Sequence, residues 1–317
     1  MTQGSPTPPA PAPATPARWA DLNTRVISAG VMILVGAGEI VLGGIWFQML
    51  VVFVTAVMVW EVARMIRPAS EVSGMLLAAL AASVLSGILT IGVGWQLVLL
   101  LLVPVLGALT YRNAAWLFFS FTLYVQLAGW GLVAFRNALG LIFILWLLAV
   151  VIVTDILGYF AGRLLGGPKF WPRVSPKKTW AGIVAGWVGA AAVGAAFAGL
   201  LDTGWALIAI SVLISFASQM GDIAESALKR HFGVKDSSSL IPGHGGVFDR
   251  FDALMGASLA ALVLIVGLGL DGGWGSSDTP GWDRHWGPDW DHHQGPDWDM
   301  DRFRRVDDHA GGPGDGA

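Results

Sequence analysis

The sequence has no cysteine among its 317 residues, and only 13% of its residues are charged. The lack of cysteine excludes disulfide bonds, thiolate metal sites and a cysteine nucleophile. A soluble domain usually has about a quarter of its residues charged. The low charge, together with 55% hydrophobic residues and 16 tryptophans, therefore predicts a polytopic membrane protein.

The two ends of the chain lack the long apolar runs that lie between them. Residues 1–24 are rich in Pro and Ala without the apolar run of a signal peptide, so we expect a disordered tail. Residues 271–317 are rich in Trp, Asp and His, and Gly-Pro-Asp-Trp-Asp occurs twice, at Gly287–Asp291 and Gly295–Asp299. Few aliphatic residues are present to form a core, which predicts a second low-complexity tail. Weak binding of a divalent metal, or tryptophans at the membrane interface, are the alternatives.

Between these tails, nine segments approach the roughly 20 apolar residues that cross the hydrocarbon core of a bilayer. The predicted fold is therefore an all-α polytopic membrane protein with about nine transmembrane helices. The segments are approximately Val26–Leu42, Ile45–Val62, Gly74–Leu89, Trp95–Thr110, Ala114–Ala134, Ala138–Phe160, Trp180–Leu200, Trp205–Met220 and Ala253–Leu270.

The distribution of Lys and Arg predicts the orientation in the membrane, because short cytoplasmic loops hold an excess of both. With nine spans and the N-terminus inside, fourteen of these residues fall in cytoplasmic segments, whereas only Arg136 falls in an external loop. The two richly charged loops are thus expected on the cytoplasmic side of the plasma (inner) membrane.

The first charged loop follows the sixth predicted span. Asp155, Tyr159 and Arg163 are spaced four residues apart, so they share one helical face. The motif SPKKTW then places two ammonium groups and two hydroxyls just before a helix, where a phosphate binds well. The alternatives are a structural Asp155–Arg163 pair, and lysines that only set topology. The motif residues expected to contact phosphate are Ser175, Lys177, Lys178 and Thr179.

The second charged loop follows the eighth predicted span. Asp222, Glu225 and Lys229 share a helical face, and the glycine-rich PGHGG lies between two charged stretches. Carboxylates that converge from two helix ends suit Mg²⁺, which proteins often hold together with substrate phosphates. Lys and Arg would neutralise the other phosphate oxygens. The sequence has no GxxxxGK[ST] and no GxGxxG that follows a predicted strand, so the pattern favours phosphoryl or nucleotidyl transfer at another kind of site. His244 either orients substrate or is structural.

A larger pattern runs through this second loop, and two flanking blocks accompany it. It resembles the signature of the phosphatidate cytidylyltransferases, also called CDP-diacylglycerol synthases. The resemblance covers residues 154–252, within a predicted transmembrane catalytic domain at 25–270. The signature consists of Ser226, Lys229, Arg230, Lys235, Asp236, Pro242, His244, Gly245, Gly246, Asp249, Arg250 and Asp252. The flanking blocks are Asp155 to Arg163 and Ser175 to Trp180.

The resemblance implies an integral membrane enzyme that joins CTP to phosphatidic acid, giving CDP-diacylglycerol and pyrophosphate. It implies Mg²⁺, with room for a second cation, held by Asp222 and Asp249. The active site would lie in a cytoplasmic-side cleft between helices, with the lipid bilayer and a homodimer as further partners and no nucleic acid. The implied catalytic residues are Asp222, Lys229, Lys235, Asp236, His244, Asp249 and Arg250. The implied substrate-binding residues are Asp155, Tyr159, Arg163, Ser175, Lys177, Lys178, Thr179, Ser226, Arg230, Gly245, Gly246 and Asp252.

Three other functions remain open at the level of sequence. A CTP-dependent lipid kinase of the polyprenol or phytol type would share the bundle and the charged loops, but the full signature favours cytidylyl transfer. A synthase acting on an ether lipid is a second enzyme alternative. A transporter would place ionisable residues near the middle of several spans, whereas Glu39 is the main candidate here.

Overall fold

The computed structural model describes residues 18–91, 95–201 and 203–268, all within one compact unit, Met1–Ser276. The predicted C-terminal tail lies outside the described residues, and so do residues 1–17 of the predicted N-terminal tail. The first helix begins at Arg18, inside the segment assigned to that tail.

The described residues form eight α-helices, two 3-10 segments and one short β-hairpin. The helices are α1 (Arg18–Leu42), α2 (Gly44–Ile66), α3 (Glu71–Ile91), α4 (Leu102–Thr110), α5 (Ala115–Leu164), α6 (Trp180–Leu201), α7 (Ala206–His231) and α8 (Phe248–Leu268). The 3-10 segments are Trp95–Leu101 and Arg112–Ala114. The strands are β1 (Lys169–Trp171) and β2 (Ser175–Thr179).

Seven helices in the described part of the chain are long and apolar enough to cross a membrane. The protein is thus a helical membrane protein, as the composition predicts, but the long helices do not correspond one to one with nine segments. The predicted fifth and sixth spans are joined in α5, which is 50 residues long. Gly140 interrupts this helix with φ 81° and ψ −175°, a conformation that suits glycine. The predicted fourth span is a 3-10 segment followed by the short helix α4.

The core of the bundle lies between α2, α5 and α8. Met58, Val59, Trp146 and Phe248 are almost completely buried in it. Polar pairs also connect the helices: the Trp146 indole donates to Ser211 Oγ at 3.0 Å, and Thr154 Oγ1 donates to Ser215 Oγ at 2.8 Å. Such bonds satisfy polar groups that lipid cannot, so they fix the register of α5 against α7.

The β-hairpin departs from the all-helical prediction. Its strands pair antiparallel, with Lys169 opposite Thr179. As predicted, a helix starts at Trp180, but the SPKKT residues before it form a strand rather than a loop. Thr179 Oγ1 accepts a hydrogen bond of 3.2 Å from the Gly182 N–H, so this side chain caps α6. The hairpin also brings Lys178 to Gln219 and Asp222 on α7.

Candidate active site

A polar cavity of about 480 Å³ lies where α5, the hairpin, α6 and α7 meet. Asp155, Tyr159 and Arg163 lie on its α5 wall, as their spacing predicts. The Arg163 guanidinium donates to the Tyr159 hydroxyl at 2.8 Å. Lys177 and Lys178 line the cavity from the hairpin. This first cavity therefore combines cations, a hydroxyl and a carboxylate in a space large enough for a phosphate-bearing ligand.

Asp222 enters the first cavity from α7. The Lys178 ammonium lies 2.5 Å from Asp222 Oδ2, and it also donates to the Gln219 carbonyl oxygen at 3.3 Å. Ser226 Oγ donates to Asp222 Oδ1 at 3.3 Å. The Asp222 side chain is still 32% exposed, so it remains accessible from the cavity.

Three carboxylates form a cluster next to this position. Asp222, Glu225 and Asp252 each offer an oxygen, and these atoms lie within 4.8 Å of one another. Glu225 is 1% exposed, and no donor in the described part of the chain makes a hydrogen bond to its Oε1 atom. A buried carboxylate oxygen without a donor is costly unless a cation is nearby. The three oxygens therefore fit a hard divalent cation, and they form a candidate metal site.

Lys229 connects the cluster to the start of α8. Its ammonium lies 2.5 Å from Glu225 Oε2 and 2.6 Å from Asp249 Oδ1. Asp249 Oδ2 accepts three further bonds, at 2.9 Å from both the N–H and the hydroxyl of Ser237 and at 2.8 Å from the Gly246 N–H. With four donors and a 5% exposed side chain, Asp249 joins α7, α8 and the loop between them.

A second polar cavity, of about 550 Å³, lies on the other side of that loop. The Arg250 guanidinium donates to the His244 carbonyl oxygen at 2.9 and 2.6 Å, and His244 Nδ1 is 2.8 Å from Ser28 Oγ on α1. Gly243 and Gly245 have φ values of 75° and 86°, which restricts these turn positions to glycine. The signature residues lining this second cavity are Lys235, Asp236, Pro242, His244, Gly245 and Arg250.

Not every predicted site residue lines one of these two cavities. Ser175 is not among the lining residues of either. Arg230 is exposed and donates to the Val234 carbonyl oxygen at 3.5 Å, at the end of α7. Gly246 packs against Ser237 and Glu61, where a Cβ atom would collide with both side chains.

The structure also brings in three residues that the predicted site did not include. Glu225 belongs to the carboxylate cluster; its spacing predicts that it shares a face with Asp222 and Lys229, but the implied site residues did not include it. Gln219 lines the first cavity, where its side chain donates to the Ile183 carbonyl oxygen at 3.2 Å. Glu61 of α2 contacts the loop before α8. In the sequence, Glu61 is distinguished only as an isolated acidic residue near the end of an apolar run.

Two apolar grooves adjoin these polar groups. One, of about 620 Å³, lies between α5, α7 and α8 and includes Gly221 and Ala224, which flank Asp222 in the sequence. The other, of about 330 Å³, is lined by α1, α2, α5 and α8 and reaches Ile241, which also lines the second cavity. The site thus has both polar and apolar surfaces within reach of its charged groups.

Comparison with known proteins places these features in a family. A phosphatidate cytidylyltransferase of Brucella abortus biovar 1 (strain 9-941) is 52% identical over 126 residues, 39% of this chain and 46% of the relative. The enzyme of that name from Staphylococcus saprophyticus subsp. saprophyticus is 44% identical over 119 residues, and that from Staphylococcus aureus (strain COL) is 41% identical over 119 residues; each match covers 37% of this chain and 46% of the relative. The matched stretch is about half the length of these curated relatives. The family model described as "Cytidylyltransferase family" matches residues 23–267, nearly the whole described bundle, and the chain therefore belongs to the cytidylyltransferase family.

Proposed function

We propose that this protein transfers the cytidylyl group of CTP to phosphatidic acid, giving CDP-diacylglycerol and pyrophosphate. Family membership and the name shared by the similar relatives support this reaction. The observation that carries the proposal is the carboxylate cluster of Asp222, Glu225 and Asp252, with Lys178 and Lys229 bound to it, beside a polar cavity. Such an arrangement suits a reaction between two phosphate groups.

The cofactor in this proposal is Mg²⁺, held by Asp222, Glu225 and Asp252. When bound there, Mg²⁺ would supply positive charge to the phosphates of CTP and to the departing pyrophosphate. Of the two ligands predicted from the sequence, Asp222 keeps that role. Asp249 instead orients Lys229 and the loop, because its oxygens already accept four bonds.

The reaction step forms a bond between a phosphate oxygen of phosphatidic acid and the α-phosphorus of CTP. The bond from this phosphorus to the oxygen bridging to the β-phosphorus breaks, and pyrophosphate leaves with the electron pair. The attacking oxygen is already ionised near neutral pH, so no side chain must remove a proton. The rate enhancement therefore comes from orientation and charge neutralisation.

The charged side chains divide between two groups of phosphate contacts. In the first cavity, Lys177, Lys178 and Arg163 would bind phosphate oxygens, and the Tyr159 hydroxyl would donate to one. In the second cavity, Lys235 and Arg250 would bind the phosphates at the opposite end of the two bound substrates. The apolar grooves would receive the acyl chains while the headgroup remains among the charged residues.

We also infer how the protein lies in the membrane. If α5 crosses the membrane twice, once on each side of Gly140, the seven long helices make eight crossings. The segment Trp95–Thr110 would add the ninth. The excess of Lys and Arg in alternate loops supports an active site on the cytoplasmic face of the plasma (inner) membrane. Apolar side chains exposed on the bundle, such as Phe53 and Val188, would contact lipid or a second copy in a homodimer.

The test is an assay of purified protein in detergent with phosphatidic acid, Mg²⁺ and CTP labelled either at the α- or at the γ-phosphate. We expect the α-label to enter the lipid and the γ-label to leave as pyrophosphate. The Asp252→Asn variant should lose the transfer, because it removes one carboxylate of the cluster. Glu71→Gln, a change at an exposed acidic residue at the start of α3, is the matched control and should keep it.

Transfer of the γ-label to a lipid acceptor would instead identify a CTP-dependent lipid kinase. Transfer of neither label, with phosphatidic acid and with an ether-lipid phosphate alike, would contradict the proposed reaction.

A further inference from the structure

Glu61 is a fully buried acidic residue near the end of α2, with an exposed fraction of 0%. Its Oε1 atom accepts hydrogen bonds from Ser238 Oγ at 2.6 Å and from the Val247 N–H at 2.8 Å. Its Oε2 atom accepts a bond from the Phe248 N–H at 2.7 Å. All three donors belong to a segment almost 190 residues further along the chain, as the separations of 177, 186 and 187 residues show.

These contacts satisfy the N-terminus of α8. The first N–H groups of a helix have no partner within the helix, and a side chain just before the helix usually accepts from one of them. Here Val247 precedes the first residue of α8, and its side chain has no acceptor. Glu61 supplies the acceptors from α2 instead, and a carboxylate also interacts favourably with the positive end of the helix dipole.

Two neighbouring serines of the loop donate hydrogen bonds to different carboxylates. Ser237 donates to Asp249, whereas Ser238 donates to Glu61. Gly246 lies between both carboxylates: its N–H donates to Asp249, and a Cβ atom at this position would collide with Glu61 Oε1. The loop thus closes around two acidic side chains, of which only Asp249 belongs to the signature.

We propose that Glu61 is a positioning residue that holds the loop at 237–247 and the first turn of α8 in the geometry that the reaction requires. The first turn carries Asp249 and Arg250, which face Lys229 and the second cavity, and Asp252 of the carboxylate cluster follows in the next turn. The inference rests on the proposed function, because the reaction provides the reason for holding these groups. Glu61 itself lines neither polar cavity and does not touch the reacting atoms.

A carboxylate is needed at this position because all three partners offer hydrogens. An amide of the same shape can keep one oxygen for Ser238 and Val247, but its NH₂ group then faces the Phe248 N–H. Glu61→Gln therefore loses the bond to α8 and places two donors against each other. Glu61→Asp keeps the carboxylate, but its side chain is shorter by one methylene group.

The first experiment compares Glu61→Gln with Thr55→Val in the full chain. Thr55 lies on the same helix, is 1% exposed, and its hydroxyl has no hydrogen-bond partner in the described part of the chain. Thr55→Val should leave kcat and thermal stability unchanged. Glu61→Gln should lower kcat roughly 10- to 100-fold, as expected when reacting groups shift by about an ångström. The KM for CTP should change by less than about threefold, because the two cavities retain their cations.

The second measurement is hydrogen exchange at the amides of Val247 and Phe248, which needs no substrate. Loss of a charged acceptor should speed their exchange roughly tenfold or more in Glu61→Gln. Ser238→Ala removes one donor without changing α2, so it should lower kcat in the same direction by a smaller factor. Combined with Glu61→Gln, it should give less than the product of the two separate effects.

The outcomes separate this inference from the proposed function. If wild-type protein transfers no cytidylyl group, the proposed reaction fails, whereas the exchange rates still report whether Glu61 holds the loop. If wild-type protein is active, and Glu61→Gln has wild-type kcat and wild-type exchange, Glu61 does not position the loop. If Glu61→Gln does not fold, Ser238→Ala decides: unchanged kcat and exchange in that variant would overturn the inference.

Discussion

Asp222 and Asp249 are both aspartates of the signature region, but they have very different numbers of partners. Asp222 is bound by one ammonium and one hydroxyl and keeps a 32% exposed side chain. Asp249 accepts from four donors and is 5% exposed. Asp222 therefore remains accessible to a ligand, whereas the contacts of Asp249 connect α7, the loop and α8.

This difference predicts two distinguishable losses. Asp222→Asn should reduce cytidylyl transfer roughly 100-fold or more, because it removes charge from the carboxylate cluster, and it should shift the midpoint of thermal unfolding by less than about 2 °C. Asp249→Asn should reduce both activity and stability, since its amide would face the Lys229 ammonium. Breaking such a buried pair costs about 3 kcal/mol.

Activity assays and thermal unfolding of the two purified variants, each beside Glu71→Gln, provide the measurement. An Asp249→Asn variant as stable as wild type would show that the four contacts do not support the fold. An Asp222→Asn variant that loses stability as well as activity would remove the distinction between the two aspartates.

Glu225 gives a second prediction at the same scale. Its Oε1 atom, which accepts no hydrogen bond from the described residues, and its place in the cluster make it a candidate ligand for the proposed Mg²⁺. Glu225→Gln should raise the Mg²⁺ concentration for half-maximal activity roughly 10-fold or more, as loss of a charged ligand weakens the site. Titration with Mg²⁺ at saturating CTP measures this. If the requirement for Mg²⁺ is the same as in wild type, Glu225 is not a ligand.

At the level of residues, the sequence predicts which side chains belong to the site. It predicts less well what each of them contacts there. Spacing along α7 places Asp222, Glu225 and Lys229 on one face, and the structure has them there. The four donors around Asp249 come from three separate parts of the chain. No periodic pattern reports contacts of that kind, and the same holds for Glu61, which is 177 residues from Ser238.

At the level of helices, α5 and α6 approach each other closely beside the site. A Cβ atom at Gly182 would lie 2.5 Å from the Gly158 carbonyl oxygen, so the two backbones touch. Both glycines line the first cavity, together with Thr179, which caps α6. Small residues allow such contacts between membrane helices. The width of the first cavity therefore depends on glycine at position 182.

Gly182→Ala and Gly199→Ala form a matched pair that tests this contact. Both lie in α6, and alanine favours the helix over glycine by roughly 0.5–1 kcal/mol. Nothing lies within 4 Å of a Cβ atom at Gly199, so that variant should be active and no less stable than wild type. Gly182→Ala should push α6 away from α5 and lower activity at least about tenfold.

The same assays on both variants decide the question. Equal activity of Gly182→Ala and Gly199→Ala would mean that the backbone contact does not shape the cavity.

The helices themselves are predictable because a run of apolar residues has few alternatives in a membrane. The positions of Ala114–Ala134 and Ala138–Phe160 correspond approximately to the two halves of α5, although the break is the single residue Gly140, near the start of the second segment, rather than a loop. The β-hairpin was not predicted, because its strands are only three and five residues long and the longer one, SPKKT, is polar. Their pairing depends on contacts with α6, such as the bond from the Trp180 N–H to the Pro168 carbonyl oxygen at 3.0 Å.

For the whole molecule, the distribution of charge and the position of the site both bear on the orientation of the bundle in the membrane. The hairpin, with Lys177 and Lys178, lines the first cavity, and the loop after α7, with Lys235, lines the second. α6 has 22 residues, so it is about 33 Å long and matches the roughly 30 Å core of a bilayer. We therefore expect the hairpin and the start of α7 to lie on opposite sides of the membrane.

The absence of cysteine makes this orientation directly measurable, because any introduced thiol is unique. Arg173 in the hairpin and Ala206 at the start of α7 are both exposed, so Arg173→Cys and Ala206→Cys should leave the fold intact. In intact cells, a membrane-impermeant maleimide should label Ala206→Cys and not Arg173→Cys; in inverted vesicles the pattern should reverse. Labelling of Arg173→Cys from outside would place the charged loops away from CTP and would contradict the cytoplasmic site. Labelling of both residues from the same side would show instead that α6 does not cross the membrane, whatever the orientation of the rest of the bundle.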